Sequence, residues 1–546
     1  MITPEKKLED KRILIVDDQA EMRALLKKMA QEQIGIEKID VAMDAEEALG
    51  NIKANLYDII FCDYELGLGK DGQQILEEVR HFKLISFNAA FILVTAATTR
   101  DMVMGALEYC PDGYLTKPIN SHEFKVRILK VLKAKSHFKE IGHSIDENNT
   151  EEALKSCNNL ITQKPQQAFE AFRIKGKLLL SIGRFEEAQE VYEFVLGLRE
   201  QPWARLGLAK TYFYAKKYDE AKELLDQLIL EDIYKSRMEC YDWLSKVYEK
   251  KGDLEKAEQK LLDAVQFSPK AILRQTELGR IALKNKHLDV AAKALRKAVS
   301  LGRNSCFRLP DNYLNLAKSV QDKVQKGGHR DKSLATGEAL KALKDVRAQF
   351  PDEVKIQVRS FLGEAETYKN LGNFPLAKKA IESAAGVFKS VATDQVSELI
   401  KEIGETLAKY AEQEEVSAFL NEIKAAGAAT TEQLQQIEES ASKVAEQKSK
   451  EKVDNFNNKG VECFEKGQIK EAIAMFEQAL SEEKAGYGIL LNALQAYVIA
   501  LQKFGIDDDL DKRCQACFAR GADIPKEDPR FNRYQKLTEM YEKIKK

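Results

Sequence analysis

A small residue returns at a nearly constant interval through much of this 546-residue chain. Ala153, Ala188, Ala221, Ala257 and Ala291 follow one another at spacings of 35, 33, 36 and 34 residues, and Ala377 and Ala472 stand in the same local setting. A period of this size restricts the chain to stacked supersecondary units, because one such unit cannot bury its apolar side alone. Twelve residues before the anchor most units carry another small residue (Gly176, Ala209, Ser245, Gly279, Ala365, Gly460), and four after it a bulky one (Tyr192, Leu225, Leu261, Leu295, Ile381, Phe476). Small residues allow paired helices to approach closely, and the bulky ones are expected to fill the gap between units.

The clearest copy runs from Tyr241 through Trp243 to Tyr248, then Gly252, Ala257, Leu261, Ala264 and Pro269. In nearly every defining position it resembles the tetratricopeptide repeat, which implies an all-α TPR solenoid over residues 137–389. Between 301 and 351 a longer unit carries a Gly- and Lys-rich insertion near Gly327, with Ala339 and Pro351 in the expected places. From 390 to 452 the pattern weakens to Leu399, Ile403, Leu407 and Tyr410, then Leu434, Ile437, Ala441 and Val444. That spacing is helical and fits either degenerate repeats or a coiled-coil arm. Residues 453–546 are read as further repeats ending in a polar capping helix, Asp528 to Lys546.

The segment before the repeats follows another logic. Arg12–Val16, Ile59–Cys62, Phe91–Val94 and Tyr114–Leu115 are short apolar runs separated by helical patterns, as in buried parallel strands. A βα unit repeated five times gives a flavodoxin-like, doubly wound parallel sheet whose crevice lies at the carboxyl ends of its strands. Asp17, Asp18, Asp63, Thr95 and Lys117 all fall there. Asp17 and Asp18 offer hard oxygen ligands suited to Mg²⁺, and the backbone carbonyl of Glu65 can complete the shell with Asp63. Asp63 is the candidate nucleophile toward phosphorus, Lys117 a point charge on the transferring group, and Thr95 a hydroxyl donor to it. A cis Lys117–Pro118 bond would aim the lysine into the crevice.

Val16-Asp17-Asp18, Phe61-Cys62-Asp63 and Tyr114-Leu115-Thr116-Lys117-Pro118 together resemble the receiver domain of two-component response regulators, over residues 9–136. The resemblance implies that Asp63 is phosphorylated by a histidine kinase or phosphotransfer protein, with Thr95 and Tyr114 as switch residues. The loop from Tyr64 to Gly72 lacks the Met-Pro-Gly usual in that family, which bears on the lifetime of the phosphoryl group.

A formal net charge of −2 argues against general nucleic-acid affinity, and no helix-turn-helix, basic-helix or zinc-finger spacing follows the receiver. The opening MITPEKKLED has no apolar signal core, no run approaches a membrane span, and the eight cysteines are scattered, so a cytoplasmic protein without disulfides is expected. Cys514 and Cys517 have metal-ligand spacing but no second pair or nearby histidine, and are read as incidental.

Asn120 with Glu123 reads as a capping box that would open the receiver's last helix, and no Pro or Gly follows from Ser121 until Gly142. The first repeat needs its own helix at about 134–146, so the two are expected to be one continuous helix. The alternative is a break near Ser136 between independently mobile domains. In tetratricopeptide arrays the ninth position of each first helix faces the concave groove. Here it is Lys177, Lys210, Lys246 and Arg280, with the aromatics Phe213 and Tyr214 at other inward positions. Such a ladder suits an acidic protein partner, or is ordinary solvated charge.

These readings converge on a response regulator whose output is protein binding rather than DNA binding, with no catalysis on an external substrate. The alternative is a modulator that binds a histidine kinase and competes for, or blocks, phosphoryl flow to another regulator.

Overall fold

The computed structural model describes residues 8–545 apart from 68, 97–110, 231–233, 327–328, 389–420, 422–423, 425–430, 482–485 and 506. It divides into two compact units, Met1–Gln349 and Phe350–Lys546.

The first unit begins with a five-stranded parallel sheet of order β2-β1-β3-β4-β5. The strands are β1 (Arg12–Val16), β2 (Lys38–Ala42), β3 (Ile59–Asp63), β4 (Ala90–Thr95) and β5 (Gly113–Thr116). Side-chain alternation divides the core in two. Leu14, Val16, Ile60, Cys62, Phe91 and Leu93 face α2 (Ala45–Ala54) and α3 (Gly72–His81). Ile13, Ile15, Ile59, Phe61, Ile92 and Val94 face α1 (Ala20–Met29) and α4 (Ser121–Ser136). The edge strand β2 is half-solvated along KIDVA, which explains why its apolar signal is weak.

The structure corrects the expected continuous junction helix. Helix α4 ends at Ser136, His137 caps it, and α5 (Lys139–Asp146) starts anew after Phe138, whose backbone is at φ −109°, ψ 16°. The break does not free the two parts from each other. Asp146 accepts hydrogen bonds from the Ser86 hydroxyl at 2.6 Å and the Phe87 amide at 2.8 Å, and Asn88 Nδ2 donates to the Lys139 carbonyl at 3.1 Å. Phe87 and Phe138 pack with Ile141, Cys157 and Ile174 in one apolar cluster spanning the loop before β4 and the first repeat helices. Lys135 is partly buried beside Phe87, its ammonium 5.6 Å from the ring centre. It bonds Asp112 at 2.7 Å and the Phe87 carbonyl at 2.9 Å, although burial still lowers its pKa.

The repeats continue as antiparallel helix pairs: α6 (Thr150–Gln163), α7 (Ala168–Ser181), α8 (Phe185–Leu198), α9 (Pro202–Tyr214), α10 (Tyr218–Leu230), α11 (Tyr234–Lys250), α12 (Leu254–Phe267), α13 (Ile272–Lys284), α14 (Leu288–Gly302), α15 (Pro310–Lys326) and α16 (His329–Gln349). The anchors Ala153, Ala188, Ala221, Ala257 and Ala291 are all fully buried. The small and bulky positions meet directly: a β-carbon on Gly176 would lie 2.6 Å from the Tyr192 ring, and one on Gly279 2.5 Å from Leu295 Cγ. The bulky residue therefore fills the seam within its own pair. Tyr192 also abuts Gly207 of the next unit, where a β-carbon would come within 2.3 Å.

The second unit contains Val354–Asn370 (α17) and Phe374–Phe388 (α18), then a 35-residue helix, Thr431–Glu465 (α19). The expected apolar positions Leu399 to Tyr410 lie outside the described residues, whereas Leu434 to Val444 fall on α19, which runs unbroken through residue 452. Ile469–Leu480 (α20), Tyr487–Phe504 (α21) and Asp508–Gly521 (α22) enclose Phe476, Tyr497, Cys514 and Cys517. Burial pushes the Cys514 thiol up to about 12, as befits a packed core residue. Phe531–Lys545 (α23) closes the array with Leu537 as its buried contact.

Candidate functional site

Strands β1 and β3 pair directly and bring Asp17 beside Asp63, while β5 lies one strand beyond, across β4, so the Lys117 side chain reaches past the end of β4 to meet them. Lys117 Nζ lies 2.8 Å from Asp63 Oδ2 and 3.0 Å from Asp17 Oδ2. It reaches them from a cis Lys117–Pro118 peptide, and its own amide donates to the Thr95 carbonyl at 2.9 Å, which fastens it to β4. Asp17 is fully buried, held by the Gln19 amide on Oδ1 at 2.9 Å and by Arg23 on its carbonyl at 2.6 Å.

One carboxylate oxygen from each of Asp17, Asp18 and Asp63 lies within 4.8 Å of the other two, and among the described residues no other such cluster occurs. Burial raises the Asp63 pKa against the opposing pull of Lys117. Burial also disfavours the Lys117 charge, but the hydrogen bonds it donates to Asp63 and Asp17 outweigh this and hold the ammonium above its ordinary value. Three acidic groups share one ammonium, so the site carries excess negative charge and hard oxygen donors, which fits a small divalent cation such as Mg²⁺. The adjoining Cys62 thiol is completely buried and pushed well above its usual range, which removes it as a competing nucleophile.

The loop after Asp63 is built for close approach. A β-carbon on Gly72 would fall 2.0 Å from the Asp63 carbonyl oxygen, so only glycine fits where α3 begins. Asp71 caps that helix through the Gln74 amide at 2.8 Å, with Gln74 Oε1 returning to the Asp71 amide at 3.0 Å. Gly67, at φ 71°, brings the turn past Asp18 Oδ2. Gly72, Asp71 and Gln74 were not singled out from sequence; the D-G-x-Q order before an apolar run is the signal that could have found them.

Thr95 ends β4 opposite Thr116, and Tyr114 on β5 lines a cleft of about 1040 Å³ together with Arg127 and Lys130 of α4 and Arg173 and Lys177 of α7. The ladder positions are largely engaged within the chain. Lys210 bonds Glu239, Arg280 makes a two-pronged pair with Glu249 at 2.7 and 2.6 Å, and Lys246 lies 4.3 Å from the Trp243 ring centre. Phe213 and Tyr214 pack edge-on against Trp243 at 5.3 and 5.8 Å. The structure does not bring these residues into contact with the Asp63 cluster; they form a separate aromatic and ion-paired surface.

Residues 13–129 match the response regulator receiver domain, and residues 179–232, 206–272 and 453–485 match tetratricopeptide repeat families. The chain joins a receiver domain to a tetratricopeptide-repeat region. Its receiver is similar to the transcriptional regulatory protein YvrH of Bacillus subtilis, 31% identical over 133 residues, which is 24% of this chain and 54% of that protein. The aligned region thus spans about half of that relative's length. It is also similar to the chemotaxis protein CheY of Pseudomonas aeruginosa, 28% identical over 120 residues, covering 22% of this chain and 94% of CheY. Among solved structures, the receiver domain of the Francisella response regulator 1452 is 29% identical and covers 23% of this chain and 98% of its own, at a TM-score of 0.21. The C-terminal part of a TPR repeat-containing protein from Cytophaga hutchinsonii is 15% identical and covers 46% of this chain and 96% of its own, at a TM-score of 0.37.

The receiver's aspartate cluster is of the kind that accepts phosphoryl groups, and its chemistry is directed at the chain's own side chain. Among the described residues no helix is long and apolar enough to cross a membrane.

Proposed function

We propose that this receiver–repeat chain is a two-component response regulator, phosphorylated on Asp63 by a histidine kinase or phosphotransfer protein, whose output is protein binding by the repeats. The observation that carries the reading is the Lys117 ammonium bridging Asp63 and Asp17 beside Asp18 at the carboxyl edge of the sheet.

An Asp63 carboxylate oxygen forms the new P–O bond while the donor's P–N bond breaks and its imidazole leaves. Lys117 neutralises charge gathering on the phosphoryl oxygens, and the Thr95 hydroxyl donates to one of them. Asp17, Asp18, Asp63 and the Glu65 carbonyl would hold Mg²⁺, which when bound supplies further neutralisation. The acyl phosphate adds close to two negative charges; Thr95 then moves toward it and Tyr114 follows. Tyr114 shares its cleft with Arg173 and Lys177 on α7, so this movement reaches the repeats across a packed junction. Lys177, Lys210, Lys246, Arg280, Phe213 and Tyr214 belong to the partner-binding surface. With Lys210 and Arg280 already paired to carboxylates, an acidic partner would there exchange one set of ion pairs for another.

The test is retention of partners from the native cell extract by wild type, by D63N, and by wild type with beryllofluoride, together with mass analysis of Asp63 after treatment with a small phosphodonor. A partner retained in only one phosphorylation state, with phosphate on Asp63, is the expected result. No modification of Asp63, or equal retention of every partner by all three forms, overturns the proposal. A histidine kinase retained equally, whose phosphotransfer to a second regulator is slowed, replaces it with phosphotransfer modulation.

A further inference from the structure

Within the first unit, the turn between α14 and α15 lies against the receiver helix that follows the acceptor. Asn304 Nδ2 donates to the Gly69 carbonyl at 2.8 Å, Gln74 Nε2 to the Leu301 carbonyl at 3.5 Å, and His81 meets Phe307 edge-on at 5.1 Å. Asn304 and Gln74 therefore grip the acceptor loop and the helix start that places Gly72 against Asp63.

Beneath these contacts runs a buried line of hydrogen bonds. The hydroxyl of Tyr64, the residue after Asp63, donates to Gln73 Oε1 at 3.1 Å, and Gln73 Nε2 donates to Glu77 Oε1 at 3.2 Å. From the other side the Ser305 hydroxyl donates to Glu77 Oε2 at 2.8 Å, and Ser305 Oγ itself accepts from the Phe307 amide at 3.1 Å. Tyr64, Gln73, Glu77 and Ser305 are all buried. Donors point inward from both ends, so the Glu77 carboxyl is the common acceptor and each of its oxygens is fixed by one side.

A carboxyl only 2% exposed is costly to bury, and breaking either side takes one hydrogen bond from it. The geometry points to Ser305 and Asn304 as positioning residues for the acceptor site: a repeat-borne turn sets the Tyr64–Gly72 loop through the Tyr64–Gln73–Glu77–Ser305 relay. By reciprocity, whatever displaces the turn alters the loop, and whatever alters the loop loosens the turn. This line is separate from the Thr95–Tyr114 route, although its consequence for phosphorylation rests on Asp63 being the acceptor.

The experiment compares full-length, metal-free wild type, Y64F, S305A and the double variant by hydrogen–deuterium exchange, with S181A as a control on an exposed repeat hydroxyl. Y64F is expected to speed exchange at 301–308, and S305A at 64–73, each about five-fold, the scale of one net hydrogen bond. The double variant adds little to either. Exchange that rises only around the substituted residue, or effects that simply multiply, overturns the relay. The initial rate of Asp63 modification by a small phosphodonor is then measured, with a change of several-fold expected for S305A and none for S181A. Absence of modification in wild type removes the acceptor reading while the exchange data still decide the relay; unchanged modification in S305A overturns the positioning role.

Discussion

Gly72 lies flat against the backbone of Asp63: a β-carbon there would sit 2.0 Å from the Asp63 carbonyl oxygen and 3.0 Å from its carbonyl carbon. The start of α3 and the candidate nucleophile are consequently one packed object. Substitution G72A is expected to push the helix start off β3 and to cost about 1–3 kcal/mol, because backbone yields less readily than a side chain. Denaturant unfolding followed by far-UV circular dichroism checks this, and an unchanged midpoint would show that the loop absorbs the methyl group elsewhere.

Asp63 is ionised at a cost, since burial raises its pKa while Asp17 adds repulsion. Replacing it by neutral asparagine should relieve this, so D63N without metal is expected to be more stable than wild type in thermal unfolding. Added Mg²⁺ should raise the thermal midpoint of wild type more than that of D63N, because the variant offers one carboxylate fewer. Equal shifts would argue that the ion binds outside the aspartate cluster.

At the junction, Asp146 is the acceptor for Ser86 and Phe87, and Asn88 spans to Lys139. D146A leaves the Phe87 amide without this acceptor and should raise hydrogen exchange across 86–89 and 139–149 several-fold, with the sheet core unaffected. Exchange confined to Asp146's own neighbourhood would mean the Phe87–Phe138–Ile141 cluster alone holds the two parts together.

Glu249 is held at about 2 by hydrogen bonds from Arg280 first and Lys284 next, against an ordinary value of 4.5. Its folded pKa is depressed, so its contribution to stability is present above about 4.5 and is lost as pH falls from there through about 2. E249Q should therefore be less stable than wild type near neutrality, and the difference should narrow on acidification. Chemical denaturation at a series of pH values reads this directly; a difference independent of pH would mean the pair contributes through packing rather than charge.

Local chemistry made much of this molecule legible. Arg12–Val16, Ile59–Asp63 and Ala90–Thr95 are apolar enough on both faces to be strands in nearly any setting, and once they are parallel their ends bring Asp17, Asp63 and Thr95 to one edge, which Lys117 reaches from the adjoining Gly113–Thr116. The recurring alanine, with its small and bulky companions, announces helix pairs because close approach demands a small residue opposite a large one; Gly176 with Tyr192 and Gly279 with Leu295 fulfil that demand. The half-solvated strand Lys38–Ala42 gave a weaker signal, since edge strands need not be apolar.

Other features were decided by tertiary structure. The expected continuous helix breaks at His137–Phe138, because the Phe87–Phe138–Ile141 cluster and the Asp146 hydrogen bonds stabilise a turned junction that helix propensity alone would not select. The basic ladder looked like an unmet charge because the carboxylates that pair with it, Glu239 and Glu249, sit on a neighbouring helix some 30 residues away. Ser305 and Glu77, 228 positions apart, meet only because the repeats return the chain to the receiver. Spacing along a sequence reports which residues share a helix face or a strand end; it carries no information about which distant surfaces a solenoid's curvature brings into hydrogen-bonding distance.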